Sequence, residues 1–418
     1  MRKSSLIVAA ALVPSVAIAQ AGGRGRNAAP AGPPTLLVPD RVWDAIEDAP
    51  HTGWAVLVRG DRIEAVGPRA QLTVPSDATT ITLAGTTLMP GMVEGHGHML
   101  LHPYNETSWN DQVLHEPLAL RVARAVNHAK AELFAGFTSE RDLGTEGAAY
   151  ADVGLRDAIA QGIIPGPRMW VVTRAIVVTG EYAPKGFVTE HVDDIPLGAE
   201  EADGVEGFTH VVRDQIKHGA DWIKIYADYR WGPNGEAMPG PTQAELNVAV
   251  EVAKSSGRNV AVHSSTAEGM RRAALAGVAT IEHGDGGTPE VFRLMAQKGI
   301  CYVPTVSVGN RSGKKAVLKM AMDAGVTICN GSDAGPLAHG DNAKEVEGLV
   351  ENGLTPLQAL RAATINDTKM LGMGDRLGLV KQGYIADLIA VQGDPTKDIM
   401  TLSTVPFVMK AGTVYKKP

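Results

Sequence analysis

From residue 88 onward the chain alternates between short apolar runs and longer stretches whose apolar residues recur every three or four positions. The short runs lie at about 88–98, 136–142, 168–177, 221–227, 259–265, 280–284, 301–307 and 327–333, and their length and β-branched content predict buried strands. Stretches such as 116–135, 200–218, 243–256 and 289–298 predict helices. Thr242 stands three residues before Glu245 as a capping box, and Thr288 is a second cap. A tail helix over 356–371 follows Thr355. Eight strand–helix alternations over 88–371 predict a parallel (β/α)8 TIM barrel. Residues 35–87 and 372–418 read instead as short strands and turns. The run WAVLVRGDRIEAVG turns at Gly60-Asp61, and ADLIAVQGDP and PFVMKAGTVYKK follow near the end, with a turn at Gly412. These two β-rich ends predict one small β-sandwich domain beside the barrel. Two loops, 178–198 and 228–241, are long enough to shape the C-terminal face of the barrel.

The first 34 residues stand outside this pattern. Arg2 and Lys3 precede an apolar stretch at 6–18, and Ala17-Ile18-Ala19 supplies the small-x-small pattern of a signal-peptidase site. That stretch is shorter than the ~20 residues needed to span a bilayer. Residues 1–19 are therefore expected to be an export signal, leaving no stable membrane span after cleavage, and 20–34 a flexible Gly-, Ala- and Pro-rich leader. The expected destination is periplasmic or secreted. The 418 residues suffice for a large barrel with a smaller domain, and a net charge of -7 argues against a nucleic-acid partner. Cys301 and Cys329 fall in neighbouring predicted strands, outside any metal-ligand spacing. They read as small buried side chains, with a disulfide left open for an exported protein.

Polar residues close several of the apolar runs. His96 and His98 end the first strand two apart, so both imidazoles leave one face. Lys224 stands in DWIKIY, His263 in NVAVHSS, His283 in TIEHGD and Asp333 in TICNGSDAG, each run leading into a Gly-rich or polar loop. Such residues at the strand ends of one barrel form a ligand set for two divalent metal ions. His51, His115, His128, His191, His210 and His218 lack that context. A lysine centred in an apolar run is costly to bury as a lone cation. Either it pairs with a carboxylate, or the neutral amine takes up CO2 to form a carbamate that bridges the two metals. Nitrogen and carboxylate ligands favour Zn2+, with Mn2+, Co2+ or Fe2+ as alternatives.

These motifs resemble those of the amidohydrolase superfamily. PGMVEGHGH is similar to its first-strand motif, and the Lys, His, His and Asp follow in the family's order. GLTPLQALRAATINDTKMLGM and GLVKQGYIADLIAVQGDP resemble the C-terminal signature of the imidazolonepropionase-like and Xaa-Pro dipeptidase-like branch, which includes ochratoxin A-hydrolysing amidohydrolases. The resemblance runs from about residue 82 to the C-terminus and covers all six metal positions. Glu94 departs from it, since family members commonly carry Asp before His-x-His. Imidazolonepropionases use one metal without the bridging lysine, so Lys224 points to the two-metal, peptidase-like members.

The resemblance implies that water attacks a polarised amide carbonyl, with Asp333 taking its proton and returning it to the departing amine. Tyr226, two residues after Lys224 and on the same face, is expected to bind a substrate carbonyl or carboxylate, or else simply to pack. His339, in DAGPLAHGDN, is expected to hydrogen-bond the oxyanion or a substrate carboxylate, and His102 is a further candidate of that kind. Arg230 and Trp231 are expected to hold a carboxylate and cover an apolar side chain, unless they only order their loop. The expected function is hydrolysis of a small amide: an N-acyl amino acid or dipeptide with a free carboxylate, large apolar residues or proline favoured, ochratoxin A included. A one-metal deaminase or cyclic-amide hydrolase is the alternative enzyme. A non-catalytic binding homologue conflicts with the complete ligand set. Assembly into a homo-oligomer is a further expectation from the resemblance.

Overall fold

In a computed structural model, which describes residues 32–308 and 313–418, the first barrel strand leaves a neighbouring sheet at Pro90. The expected signal segment, and the leader up to residue 31, lie outside the described residues. Parallel strands β1 (Met92–Gly97), β2 (Phe137–Asp142) and β3 (Arg168–Val171) pair in order. The third strand kinks at Thr173 (φ 66°) and resumes at Ile176–Val177, where it meets Ile225 of β4 (Ile223–Tyr226). Pairing continues through β5 (Val260–Ser264), β6 (Thr280–His283) and β7 (Cys301–Val303).

The eighth position is held by residues 327–334, which form isolated bridges rather than the expected regular strand. Cys329 N donates to Tyr302 O at 2.9 Å on one side. On the other, Asp333 N donates to His96 O (2.7 Å) and His98 N to Ala334 O (2.8 Å), which closes the ring and seats Asp333 beside β1. The backbone is squeezed here: a Cβ at Gly331 would lie 2.7 Å from the Cβ of His96 and 2.6 Å from Val303. The question left open for the cysteines is answered at the same seam, where Cys301 and Cys329 are disulfide-bonded.

Helices Leu118–Phe134, Ala151–Ala160, Gly204–Lys217, Gln243–Ser255, Ala267–Ala276, Pro289–Lys298, Lys314–Asp323 and Ala343–Glu351 follow or interleave the strands. Their inward residues, among them Phe208, Leu246, Phe292 and Met295, are fully buried in one continuous core. Each such side chain contributes about 1.5–3 kcal/mol relative to exposure. The Thr242–Glu245 capping box forms, and Thr288 accepts from Val291 N. The expected tail helix is three pieces, Pro356–Arg361, a π-helical Ala362–Asn366 and Asp367–Met370. The widened turn presents Asp367 to Asn330 N (3.1 Å), tying the tail beneath the eighth segment.

Both ends of the described chain build one mixed sheet of eight strands. Thr79–Pro90 lies at its centre, parallel to Thr35–Val42 and antiparallel to Leu388–Gln392. Residues 88–90, expected to open the barrel, pair in this sheet instead. Gly91 then passes so close to Thr138 that a Cβ would lie 2.2 Å from its hydroxyl. The hairpins Trp54–Arg59/Arg62–Pro68 and Phe407–Lys410/Thr413–Lys416 turn where expected. The sheet curls until Ile63 N donates to Tyr384 O (2.9 Å), so Leu37, Val56, Ile63, Leu83, Leu388 and Phe407 from both ends share one core. Among the described residues no helix is long and apolar enough to cross a membrane.

Candidate metal centre

The strand ends bring four imidazoles into an unbroken row. Ring centroids lie 4.4 Å apart for His263 and His283, 5.0 Å for His283 and His96, and 5.4 Å for His96 and His98. Asp333 Oδ1 stands 3.2 Å from His98 Nε2 and 3.7 Å from His96 Nε2. Ligand atoms of His96, His98 and Asp333 all fall within 4.8 Å of one another, the only such three-group set among the described residues. Lys224, on β4 beside the strand of His263, is 1% exposed.

Partners on the far side of each ring set its orientation. His96 Nδ1 donates to Glu282 Oε2 (3.0 Å), and Glu282 Oε1 accepts from Arg141 Nη2 (3.0 Å). Arg141 also donates to Gly95 O (2.7 Å) and lies over the Trp222 ring. His98 Nδ1 donates to Gly144 O (3.0 Å), and His283 Nδ1 lies 2.8 Å from Thr305 Oγ1. The atypical Glu94 is no ligand: it accepts from His96 N, Ser332 N, Ser332 Oγ and Asn342 Nδ2 at 2.6–2.9 Å, tying β1 to the Asp333 segment.

Burial, reinforced by neighbouring positive charge, holds His96 down at about 4 and His263 and His283 well below the ordinary imidazole value. It would lower His98 too, but the hydrogen bond and charge of Asp333, with Glu146 and Asp142, lift that ring to about 9. Burial pushes Asp333 up, and His96, His98 and Lys224 outweigh it, holding the carboxyl well below its usual range. Burial lowers the Lys224 amine to about 8. With Nδ1 of His96 and His98 committed to acceptors, Nε2 of each ring faces the ionised carboxylate, and the proton that Asp333 favours on the His98 ring is the one a cation would displace. That donor set fits a divalent cation.

The remaining expected site residues divide. Tyr226 stacks on His263 (4.6 Å, 16°), with Lys224 Nζ 5.6 Å from its ring centroid, so it lines the centre. Arg230 and Trp231 stand exposed on the hairpin Asp228–Tyr229/Met238–Pro239. Arg230 lies over Tyr229, whose ring meets His263 edge-on at 5.5 Å. His339 does not have the freedom expected of it: Nδ1 is 2.7 Å from Glu132 Oε1, Nε2 is 2.9 Å from Leu101 O, and the ring stacks on His128. His102 is corrected on the same ground, its nitrogens spent on Glu106 (3.1 Å) and Glu116 (2.9 Å). Neither ring has a nitrogen left for substrate. Arg141, Glu282 and Glu146 were not among the site residues expected from the sequence. A signal for Arg141 existed in the charged triplet Glu140-Arg141-Asp142, which closes a run expected to be a buried strand and is itself buried.

Strand-end histidines, a buried lysine and an aspartate around one cup define a class, the barrel hydrolases that carry their metal ligands on strand ends. The chain belongs to the amidohydrolase family, which it matches over residues 87–416, and it is a hydrolase acting on amide bonds. Residues 55–73 match an imidazolonepropionase-like composite domain of bacteria. The chain is 32% identical over 416 residues to ochratoxinase from Aspergillus niger, covering 87% of this chain and 83% of that protein. A crystal structure of a Xaa-Pro dipeptidase with bound methionine in the active site superposes with a TM-score of 0.81 at 29% identity, covering 92% of this chain and 100% of the other. A prolidase complexed with N-methylphosphonate-L-proline gives 0.79 at 28% identity, with coverage of 92% and 100%.

Proposed function

We propose that this chain is a binuclear metal-dependent hydrolase of N-acyl amino acids or dipeptides with a free carboxylate. The observation that carries the reading is the row of four imidazoles ending at Asp333, with Lys224 buried on the adjoining strand. His96, His98 and Asp333 would hold one cation and His263 and His283 a second, with Lys224 shared between them as a carbamate. Addition of CO2 to the neutral amine forms a C–N bond and releases one proton. An amine lowered to about 8 is partly neutral at physiological pH. Zn2+ suits these donors.

Bound divalent cations supply Lewis acidity, which polarises an amide carbonyl and lets water attack at neutral pH. Asp333 takes the proton from that water and delivers it to the departing nitrogen. Tyr226 would bind the carbonyl or carboxylate of the substrate. Arg230 and Trp231 at the rim would receive the free carboxylate and an apolar side chain. The relatives named for ochratoxin and for Xaa-Pro dipeptides support this substrate class, and ochratoxin A is a test substrate.

The compact three-ligand set and the imidazolonepropionase-like segment favour a second reading, a one-metal deaminase or cyclic-amide hydrolase in which Lys224 stays an amine. Elemental analysis separates the two, with close to two divalent ions per chain expected here. Lys224→Ala should lose most metal and activity, with partial rescue by short carboxylic acids. Unchanged kinetics in that variant would remove the bridging role. Equal rates on substrates with a C-terminal acid or amide would remove the carboxylate preference.

A further inference from the structure

We infer that Glu146 determines substrate specificity by anchoring a wall of aromatic rings beside the metal centre against the strand end that carries His98. The inference rests on the proposed amide hydrolysis at this centre. Glu146 Oε2 accepts from two donors that arrive on different elements, Trp109 Nε1 (2.9 Å) and Tyr182 Oη (2.7 Å). Trp109 opens the short helix after β1, and Tyr182 stands in the long loop after the third strand. The Tyr182 ring lies 4.8 Å from Trp109, 5.0 Å from Tyr226 and 4.9 Å from Tyr229. Tyr226 in turn stacks on His263, so the wall runs unbroken to the metal centre.

The construction around Glu146 exceeds what holding a loop requires. Its backbone is left-handed (φ 50°), a conformation kept where neighbours over-determine it. Buried Arg121 does so, donating to Glu146 O (2.7 Å), Thr145 O (3.0 Å) and Leu100 O (3.0 Å). Glu146 Oε1 is buried without a hydrogen-bond partner, 3.9 Å from His98 Nδ1. A carboxyl group with one unused oxygen is a costly acceptor for two neutral donors, where an amide would serve. Its place beside the His98 strand fixes where the aromatic rings stand relative to the centre.

The wall's chemistry names the substrate group it takes. Because the indole N–H and the phenol hydroxyl are both spent on Glu146, what Trp109 and Tyr182 offer elsewhere is carbon and π surface. A flat aromatic substituent on the amide is the group that surface fits.

The test compares kcat and KM on N-aroyl and N-acetyl forms of one amino acid. Glu146→Ala should cut the aroyl-over-acetyl ratio of kcat/KM at least about tenfold, through KM, with kcat within about threefold and metal content unchanged. Glu146→Gln, which keeps an acceptor for both donors, should stay within about threefold of the wild-type ratio. An unchanged ratio in Glu146→Ala, or a fall in kcat and metal content with KM untouched, overturns the inference. Acrylamide quenching of Trp109 emission, isolated by difference from Trp109→Phe, needs no turnover. It should rise at least about twofold in Glu146→Ala and return in Glu146→Gln. Unchanged quenching overturns the anchor even if the wild type cleaves no acyl amino acid, a result that would by itself end only the proposed function.

Discussion

His283 and Asp333 end their segments with φ of 68° and 58°, and Thr305, which touches His283 Nδ1, has φ 47°. Residues held in such sparsely populated backbone conformations cost of order 1–3 kcal/mol each, so their gathering at one rim of the barrel marks a site that its surroundings force into shape. For Asp333 the force is visible: its N–H is pinned to His96 O and its carboxylate faces two imidazoles. Asp333→Asn preserves shape and one ligand oxygen but cannot accept a proton. Turnover should fall at least ~10²-fold with the fold intact, and near-normal steady-state turnover would transfer the proton role to another group. His339 is poorly placed to inherit it, its nitrogens being engaged by Glu132 and Leu101. One step outward, Glu282 joins His96 to Arg141. Glu282→Gln should weaken metal binding by about 10–100-fold in competition with a chelator, and an unchanged affinity would leave Glu282 as a partner of Arg141 alone.

Among the elements, the loop carrying Glu181 and Tyr182 has a built-in pH response. Burial, with nearby Asp228, lifts the Glu181 carboxyl to about 8 against a single backbone donor, Val178 N, while Oε1 has no partner. The folded state therefore holds a proton that the unfolded chain releases near the ordinary carboxyl value. The stability this gives is complete below about 4.5 and is lost as pH rises through about 8. Glu181→Gln should match wild type in acid and exceed it by at least about 1 kcal/mol at pH 8–9 in denaturant melts. A constant difference across that range would reject the linkage. The sequence made the ligands visible because two-residue spacing and strand-end position are local properties. It did not reveal that residues 88–90 serve the other sheet, since residues 88–93 (LMPGMV) are apolar on both sides of the break, which comes from Gly91 pressing on Thr138. Nor did it tell which way a loop imidazole turns, and so His102 and His339 were legible as histidines but not as buried structural pairs.

At the scale of the whole molecule, the ring closes between β7 and residues 327–334 without a regular ladder, and the Cys301–Cys329 bond crosses that seam over a separation of 28 residues. Closing a loop of this length in the unfolded chain accounts for about 3–4 kcal/mol in the chain-entropy treatment. The same seam carries Asp333, so loosening it should disturb the metal centre as well as the fold. Such bonds persist in oxidising compartments. We propose that export supplies one, on the pattern of Arg2-Lys3, the apolar stretch at 6–18 and Ala17-Ile18-Ala19. The mature protein should then begin at or near Gln20 by N-terminal sequencing. Replacing both cysteines by alanine should lower unfolding free energy by about 2–4 kcal/mol and weaken metal retention, whereas surface substitutions of similar size should stay within about 0.5 kcal/mol. Equal stability of the cysteine-free chain would mean that the bridges from Cys329 to Tyr302 and from Asp333 to His96 close the barrel unaided. An intact Met1 on protein from the cell envelope would indicate an uncleaved anchor in place of a released enzyme.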